Sequence, residues 1–484
     1  MKRASVVVSC LAFFLALLLS FTGSAYHAQT LQRLGTSPSE SPGPNEGTFL
    51  LLSDIHLDPL TGTDPHVVQQ LLASPVERWQ SIFQSSPDRQ ISPNGADSNY
   101  ALLASALEAA RRSGVHYDYI IITGDFLGHD LSAKYSRFTH SDAGYREFAI
   151  HTLVFVNRMA QQAFPGVPIF ETLGNNDSTE GDYLDPGAPL LETLAKEWKV
   201  VAADPDATRD FLKGGYYAVP HPFVSNHEFI ILNTAFWSNN YTGSSPGAVD
   251  PGFQELAWLK SELDRVQAAH KNATLLMHIP PGVDAYKSSQ TDGCNPTLFW
   301  KKPYQDSFLA ILEAHASQIR DGYAGHTHVD DFIVINTVIN GTSGTPYFQI
   351  HITPSISRDH RNNPAFETGV YDKTSGALAD YMATYLQSSS TAGDGSQGVA
   401  WVPEYDFRQL SHLPMYSPAA LQTIALLIRS NDLIRQKFLD LYVSKASSSG
   451  SAPIKDWLSY SCAQTEVSPD SFRGCACPNS GGSK

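Results

Sequence analysis

The chain has 484 residues, a formal charge of −15, 17% charged and 42% hydrophobic residues, 34 glycines and 30 prolines. That length exceeds one minimal domain, and the composition excludes the collagen-like, coiled-coil and disordered classes in favour of a loop-rich globular protein with a sizeable core. The acidic balance argues against a general nucleic-acid-binding role.

In chain order, Lys2 and Arg3 precede an apolar run over residues 6–21, followed by Gly23, Ser24 and Ala25. This is the layout of a signal peptide over residues 1–25, with an uncleaved anchor as the alternative, and it predicts a secreted or periplasmic destination. Its removal takes the formal charge from −15 to −17 and removes Cys10. No other stretch is apolar and long enough to span a bilayer. Residues 26–47, rich in Ser, Pro, Gly and Thr, read as a flexible linker.

Five short β-like runs follow, at residues 48–53, 117–123, 167–173, 229–233 and 273–277. Three are nearly continuous apolar stretches, as strands buried on both faces are. Helical spacing covers residues 100–112, with Leu102, Leu103, Ala106, Leu107 and Ala110 on one face and Gly114 as the stop, and again residues 253–269. The alternation predicts an α/β fold with a central sheet and chemistry in loops at strand ends.

After a further strand at residues 347–352, residues 375–386 and 418–443 read as helices and residues 387–398 as an exposed Ser/Gly-rich loop. The expected division is a catalytic domain at 48–364 and a helical, cysteine-containing extension at 365–484. Cys294, Cys462, Cys475 and Cys477, an even number in an export context, predict two disulfides with three pairings open. A bond between Cys475 and Cys477 would close a strained ring.

Five separated segments supply metal-ligating side chains: Asp54 with His56; Asp125; Asn175 with Asn176 and Asp177; His278; and His326 with His328. Four of the five directly follow a β-like run, and strand ends converge on one edge of an α/β sheet. Asp54 and His56 are two apart, as are His326 and His328, so in extended geometry each pair points the same way and can chelate. Asp125, after Gly124, can bridge two cations through its two oxygens at the roughly 3.5–4 Å separation of two-metal hydrolases.

As a set these segments resemble the calcineurin-like metallophosphoesterase superfamily, whose signature runs Asp-x-His, Gly-Asp, Gly-Asn-His-Asp/Glu, His and Gly-His-x-His. The resemblance implies a sandwich of central sheets flanked by helices, with a dinuclear metal site at the strand ends. One ion would be held by Asp54, His56, Asp125 and His328, the other by Asp125, Asn175, His278 and His326. The segment from Thr123 to Asp130 is similar to the Gly-Asp-x-x-x-His-Asp segment of the acid sphingomyelinase-like and endopolyphosphatase-like branch. Pro354-Ser355, Asn363-Pro364 and Tyr371 resemble the Pro-Ser…Asn-Pro…Tyr stretch of the same branch.

The function this implies is an exported hydrolase in which two cations acidify a water whose hydroxide attacks phosphorus. An acid sphingomyelinase-like phosphodiesterase acting on a small phosphoester or phospholipid head group is the leading form. An endopolyphosphatase-like hydrolase and a secreted metal-holding binding protein are the alternatives. Four imidazoles, one amide and two carboxylates suit zinc, iron or manganese better than calcium or magnesium; the resemblance implies zinc.

One departure matters: Asn176 stands where the superfamily usually has His. An amide can orient a phosphate oxygen or a leaving group but cannot protonate it. His129, four residues after Asp125, is then the candidate proton donor. Lys301, Lys302, Arg358 and Arg361 are the candidates for the basic groove that a long polyanion would need.

Overall fold

The structure is a computed structural model. It describes residues 42–86, 90–243, 249–290, 294–339, 342–389, 398–446 and 455–477. The signal-peptide reading, the linker reading up to residue 41 and residues 390–397 of the loop read over 387–398 fall outside the described residues; residues 46–47 of the linker and 387–389 and 398 of the loop are strand instead.

In chain order the strands begin with β1 (Glu46–Leu52), β2 (Tyr119–Ile122), β3 (Ile169–Glu171), β4 (Tyr217–Pro220), β5 (His227–Ile231), β6 (Asn272–Leu276) and β7 (Val283–Asp284). They continue with β8 (Thr297–Leu298), β9 (Ile319–Ala324), β10 (Asp331–Ile339), β11 (Thr342–Ile352), β12 (Ala365–Asp372), β13 (Leu378–Ser389) and β14 (Gly398–Asp406). One six-stranded sheet is ordered β14-β13-β12-β1-β2-β3, the other β10-β11-β9-β6-β5-β4. β1, β2 and β3 run parallel, as do β5, β6, β9 and β11.

The sheets face each other through Phe49 against Tyr323, and through Tyr119 and Phe170 against Phe229. Strands such as β2, with all four residues buried, are therefore covered on both sides, which is why they stand out in the sequence as unbroken apolar runs. A polar contact also crosses this interface: His351 on β11 and Glu367 on β12 meet at 2.6 Å. Burial pushes the Glu367 carboxyl well above its usual range and the His351 imidazole down to about 4.

The helix Tyr100–Arg112 spans the expected residues, buries the expected apolar face and is capped by Asn99, whose side chain accepts the Leu102 N–H at 3.0 Å. The helix Pro251–Ala268 likewise agrees with its apolar spacing.

Two expectations need correction. Residues 375–386, read as a helix, form the turn at Gly376 and then β13. Apolar residues at 378, 382, 385 and 386 fit a helical face, yet the same segment carries the β-favouring Tyr381, Thr384 and Tyr385, and pairing with β12 and β14 on both sides decides the outcome. The division at 364/365 accordingly falls inside a sheet, because β12 pairs antiparallel with β1 at the centre of it.

The helical part of the extension runs from Phe407 to Ala476. The stretch 418–443 is two helices, Pro418–Ser430 and Asp432–Tyr442, broken at Asn431, whose side chain caps the second by accepting from Leu433 and Ile434. These C-terminal helices dock on the second sheet and on the helix Lys302–Ala314: Gln464 O accepts from Val334 N at 2.7 Å and Val467 O from Gln305 Nε2 at 2.8 Å.

The four cysteines pair as Cys294 with Cys477 and Cys462 with Cys475, separated in sequence by 183 and 13 residues. Replacing the pair Cys294 and Cys477 by serine should lower stability by about 2–5 kcal/mol, and by more than the same change at Cys462 and Cys475, since the longer loop gains more freedom in the unfolded chain. Thermal unfolding of the two double variants measures this; equal or reversed losses would contradict it.

Candidate metal centre

The parallel strands set the site. Asp54 follows β1, Asp125 follows β2, Asn175 follows β3, His278 follows β6 and His326 follows β9, so all five segments leave their sheets at one edge. The loops are then stitched together: Asp54 N donates to Gly124 O at 3.1 Å, His56 N to Asp125 O at 2.9 Å and Gly325 N to His278 O at 3.0 Å. Close approach requires glycine at two points. A Cβ at Gly174 would collide with Asp125, and one at Gly325 with Ser53 and Asp54.

The backbone is left-handed at Asp54, His56, Asp125, His326 and His328, with φ between 45° and 72°. Non-glycine residues there cost about 1–3 kcal/mol each, and such strain persists where surrounding structure enforces it.

All seven expected ligands meet. His56 Nε2 lies 3.1 Å from His328 Nε2, 3.4 Å from Asp125 Oδ2 and 3.7 Å from Asp54 Oδ1. His328 Nε2 is 3.3 Å from Asp54 Oδ1. His278 Nε2 is 3.1 Å from Asp125 Oδ2 and 3.2 Å from Asn175 Oδ1. Asp125, His278 and His326 form one group with ligand atoms within 4.8 Å of one another, and Asp54, His56 and Asp125 another.

The donor set fits a pair of cations. His56 Nδ1 faces the Leu127 carbonyl at 2.9 Å and His278 Nδ1 the Thr123 carbonyl at 2.7 Å, so each carries its proton there and turns the bare Nε2 inward. Lone pairs of imidazole, amide and carboxylate thus converge on one another. Burial alone would lower both imidazoles, but without a cation beside them Asp125 and Asp54 reverse this, pushing His56 up to about 10 and His278 up to about 9, so that a second proton would sit on each Nε2 in the place a cation would otherwise take. Burial would raise the Asp125 carboxyl, yet the neighbouring His278 and His56 hold it far below the usual range. The convergence of these carboxylates and inward ring nitrogens calls for positive charge at the centre.

Residues 47–330, more than half of the chain, match the family model described as Calcineurin-like phosphoesterase. The chain belongs to that family. Similar proteins include the cyclic GMP-AMP phosphodiesterase SMPDL3A of Homo sapiens, 26% identical over 415 residues that cover 83% of this chain and 84% of that protein. Sphingomyelin phosphodiesterase 2 of Caenorhabditis elegans is 26% identical over 84% of this chain and 67% of its own length. Sphingomyelinase phosphodiesterase D of Dictyostelium discoideum is 28% identical over 65% of each chain. The protein is therefore a phosphoester hydrolase of the acid sphingomyelinase-like branch, in a family with a dimetal centre.

In this phosphoesterase Asn176 is also engaged with Asp125. Its backbone N–H donates to Asp125 Oδ1 and its side-chain amide to Asp125 Oδ2, both at 2.9 Å. It clamps the carboxylate between the two ligand groups as well as lining the cleft.

Asp177, left without a role in the sequence, accepts from the backbone N–H groups of Asp125, Phe126, Leu127 and Gly174 and so shapes the loop that carries Asp125. Asn175 Nδ2 donates to Asp182 Oδ1 at 2.8 Å, which turns the amide oxygen toward His278. His129 stacks on His56 with ring centroids 3.9 Å apart.

The basic groove does not form as a unit. Lys302 pairs with Asp306, buried Arg358 donates to Ser92 O, and Lys301 donates to Tyr241 O. Of the four, Arg361 lines the cleft. That cleft, about 430 Å³, opens from Asp125, His129 and His326 toward Tyr183, Tyr286 and Phe299 and reaches Tyr442 and Tyr460 of the C-terminal helices.

Proposed function

We propose that the protein is an exported, dinuclear-metal phosphodiesterase of acid sphingomyelinase-like type, with Asp54, His56, Asp125 and His328 holding one ion and Asp125, Asn175, His278 and His326 the other. The observation that carries this reading is the convergence of these seven side chains from five strand ends beside one cleft. Zinc, iron or manganese suits the imidazole-rich set, with zinc first. Export rests on the sequence pattern of residues 1–25 and on two disulfides, which persist in oxidising compartments. No described helix is long and apolar enough to cross a membrane.

When bound, the metal pair supplies Lewis acidity toward the phosphoryl oxygens and an acidified water. The chain supplies the rest. Asn176 and Asp177 hold Asp125 and its loop in place, and Asp182 holds the Asn175 amide. His129, at the cleft wall, gives its Nε2 proton to the leaving oxygen as the water oxygen joins phosphorus, the phosphorus–oxygen bond breaks, and the water proton passes to solvent.

A cleft lined by Tyr183 and Phe299 beside His326, and by Val283, Val329, Phe332 and Ile333, has room for a substituent beyond the phosphate. The matched relatives, named for cleavage of cyclic GMP-AMP and sphingomyelin, support a phosphodiester rather than a monoester substrate. A panel of sphingomyelin, nucleotide phosphodiesters, nucleoside triphosphates and polyphosphate, assayed with zinc or manganese added, tests the reading. Turnover of a diester that is lost with chelator and restored by metal is the expected result. Two bound metals without turnover of any panel member would point instead to a secreted binding protein.

A further inference from the structure

The ring assigned to the leaving group is gripped from behind by residues outside all five ligand-bearing segments. Asp97 is buried. Its Oδ1 faces His129 Nδ1 at 2.7 Å, and its Oδ2 accepts the His129 backbone N–H at 3.0 Å and Lys134 Nζ at 2.6 Å. Lys134 also lies 2.9 Å from Asp58 Oδ2, and Asp58 Oδ1 accepts the backbone N–H groups of Leu60 and Thr61 at 2.9 and 3.1 Å.

The segments carrying these side chains are themselves joined. Ser98 N donates to His56 O at 3.1 Å and Asp58 N to Ser98 O at 2.8 Å. The Gly128 backbone sits so close that a Cβ there would come within 3.2 Å of Asp97 Oδ2. Beside Lys134 Nζ and the His129 backbone N–H, both of which donate to it, the Asp97 carboxyl is held as the carboxylate. An ionised carboxylate only accepts, so the proton on this edge of the ring belongs to Nδ1.

We propose that Asp97, held by Lys134 and Asp58, is the positioning residue of His129: it fixes the ring against His56, keeps a proton on Nδ1 and leaves Nε2 as the nitrogen that serves the cleft. The inference rests on the reading of His129 as proton donor.

Asparagine at 97 makes the consequence specific. Its single oxygen would be claimed by the side with two donors, the His129 backbone N–H and Lys134, which turns the amide NH2 toward His129 Nδ1. Nδ1 must then accept, the neutral ring moves its proton to Nε2, and an Nε2–H of that kind is too weak an acid to protonate an alkoxide. A wrong tautomer of this sort can lower turnover by about 10⁴-fold where the imidazole geometry is otherwise intact.

The test uses full-length, metal-loaded enzyme and two phosphodiesters that differ only in leaving group, 4-nitrophenyl and phenyl. Asp97→Asn should lower kcat on the phenyl ester by about 10- to 100-fold or more, with little change on the nitrophenyl ester, an unchanged KM and two metals per chain by elemental analysis. In a His129→Ala background the same substitution should cost nothing further.

If Asp97→Asn folds poorly, Lys134→Met, which frees the carboxylate on one side, should show the same leaving-group pattern in weaker form. Equal losses on both esters, a fall in metal content, or a loss that persists without His129 would overturn the assignment and leave Asp97 structural. Equal losses on both esters in His129→Ala alone would instead remove the proton-donor reading, and this inference with it.

Discussion

Asp125→Asn is expected to lose bound metal and to lower kcat/KM by more than the roughly 10- to 100-fold that disturbing an outer partner of a metal ligand costs. Asp125 Oδ2 is the point where both ligand groups meet, 3.1 Å from His278 Nε2 and 3.4 Å from His56 Nε2. Each oxygen also accepts an N–H from Asn176. An amide NH2 in either orientation faces one of those donors with another donor, and it removes the negative charge that the centre shares. Metal content by elemental analysis and kcat/KM on a nitrophenyl phosphodiester measure the outcome, with thermal unfolding as the control for folding. Full activity with two metals per chain would refute the site.

His129→Ala is the next largest expected change. General acid catalysis contributes on the order of 10²- to 10⁴-fold, and it matters most when the leaving oxygen is strongly basic. The variant should therefore lose about that factor in kcat on an alkyl or phenyl phosphodiester and little on a nitrophenyl one, whose anion departs without a proton. His129 is not one of the seven proposed ligands and stacks on His56, so metal content should hold. Equal losses on all esters, or loss of metal, would show that the ring supports the centre rather than the leaving group; its nitrogen lies within 4.8 Å of those of His56 and His328, which makes the metal measurement decisive.

The parts of this site that were legible in the sequence share a property: their signal is local. Asp54-Ile55-His56 and His326-Thr327-His328 declare ligating side chains through residue type, although the backbone there is left-handed and not extended, and His326 and His328 fall to different groups; the unbroken apolar runs before Asp54 and Asp125 declare strands buried on two faces. The strand before His326 was less visible, because β9 carries Arg320, Asp321 and Gly322; buried Asp321 is satisfied by Thr274 Oγ1 and Leu378 N, partners that come from distant segments. Asp97 gave no signal, being a single carboxylate in a loop whose role exists only when Lys134 and His129 arrive beside it.

By itself, then, the sequence determined which side chains capable of holding a metal stand at strand ends and in what order, two of the main helices, and the presence of two disulfides. The tertiary structure decided that residues 365–406 complete the first sheet, which cysteines pair, that Asn176 clamps Asp125, and that the four basic residues do not make a groove. The physical reason is the same throughout. Periodicity and ligand spacing are carried by neighbours in the chain, whereas strand pairing, disulfide choice and the partner of a buried polar group depend on which remote segment the fold brings within hydrogen-bonding distance.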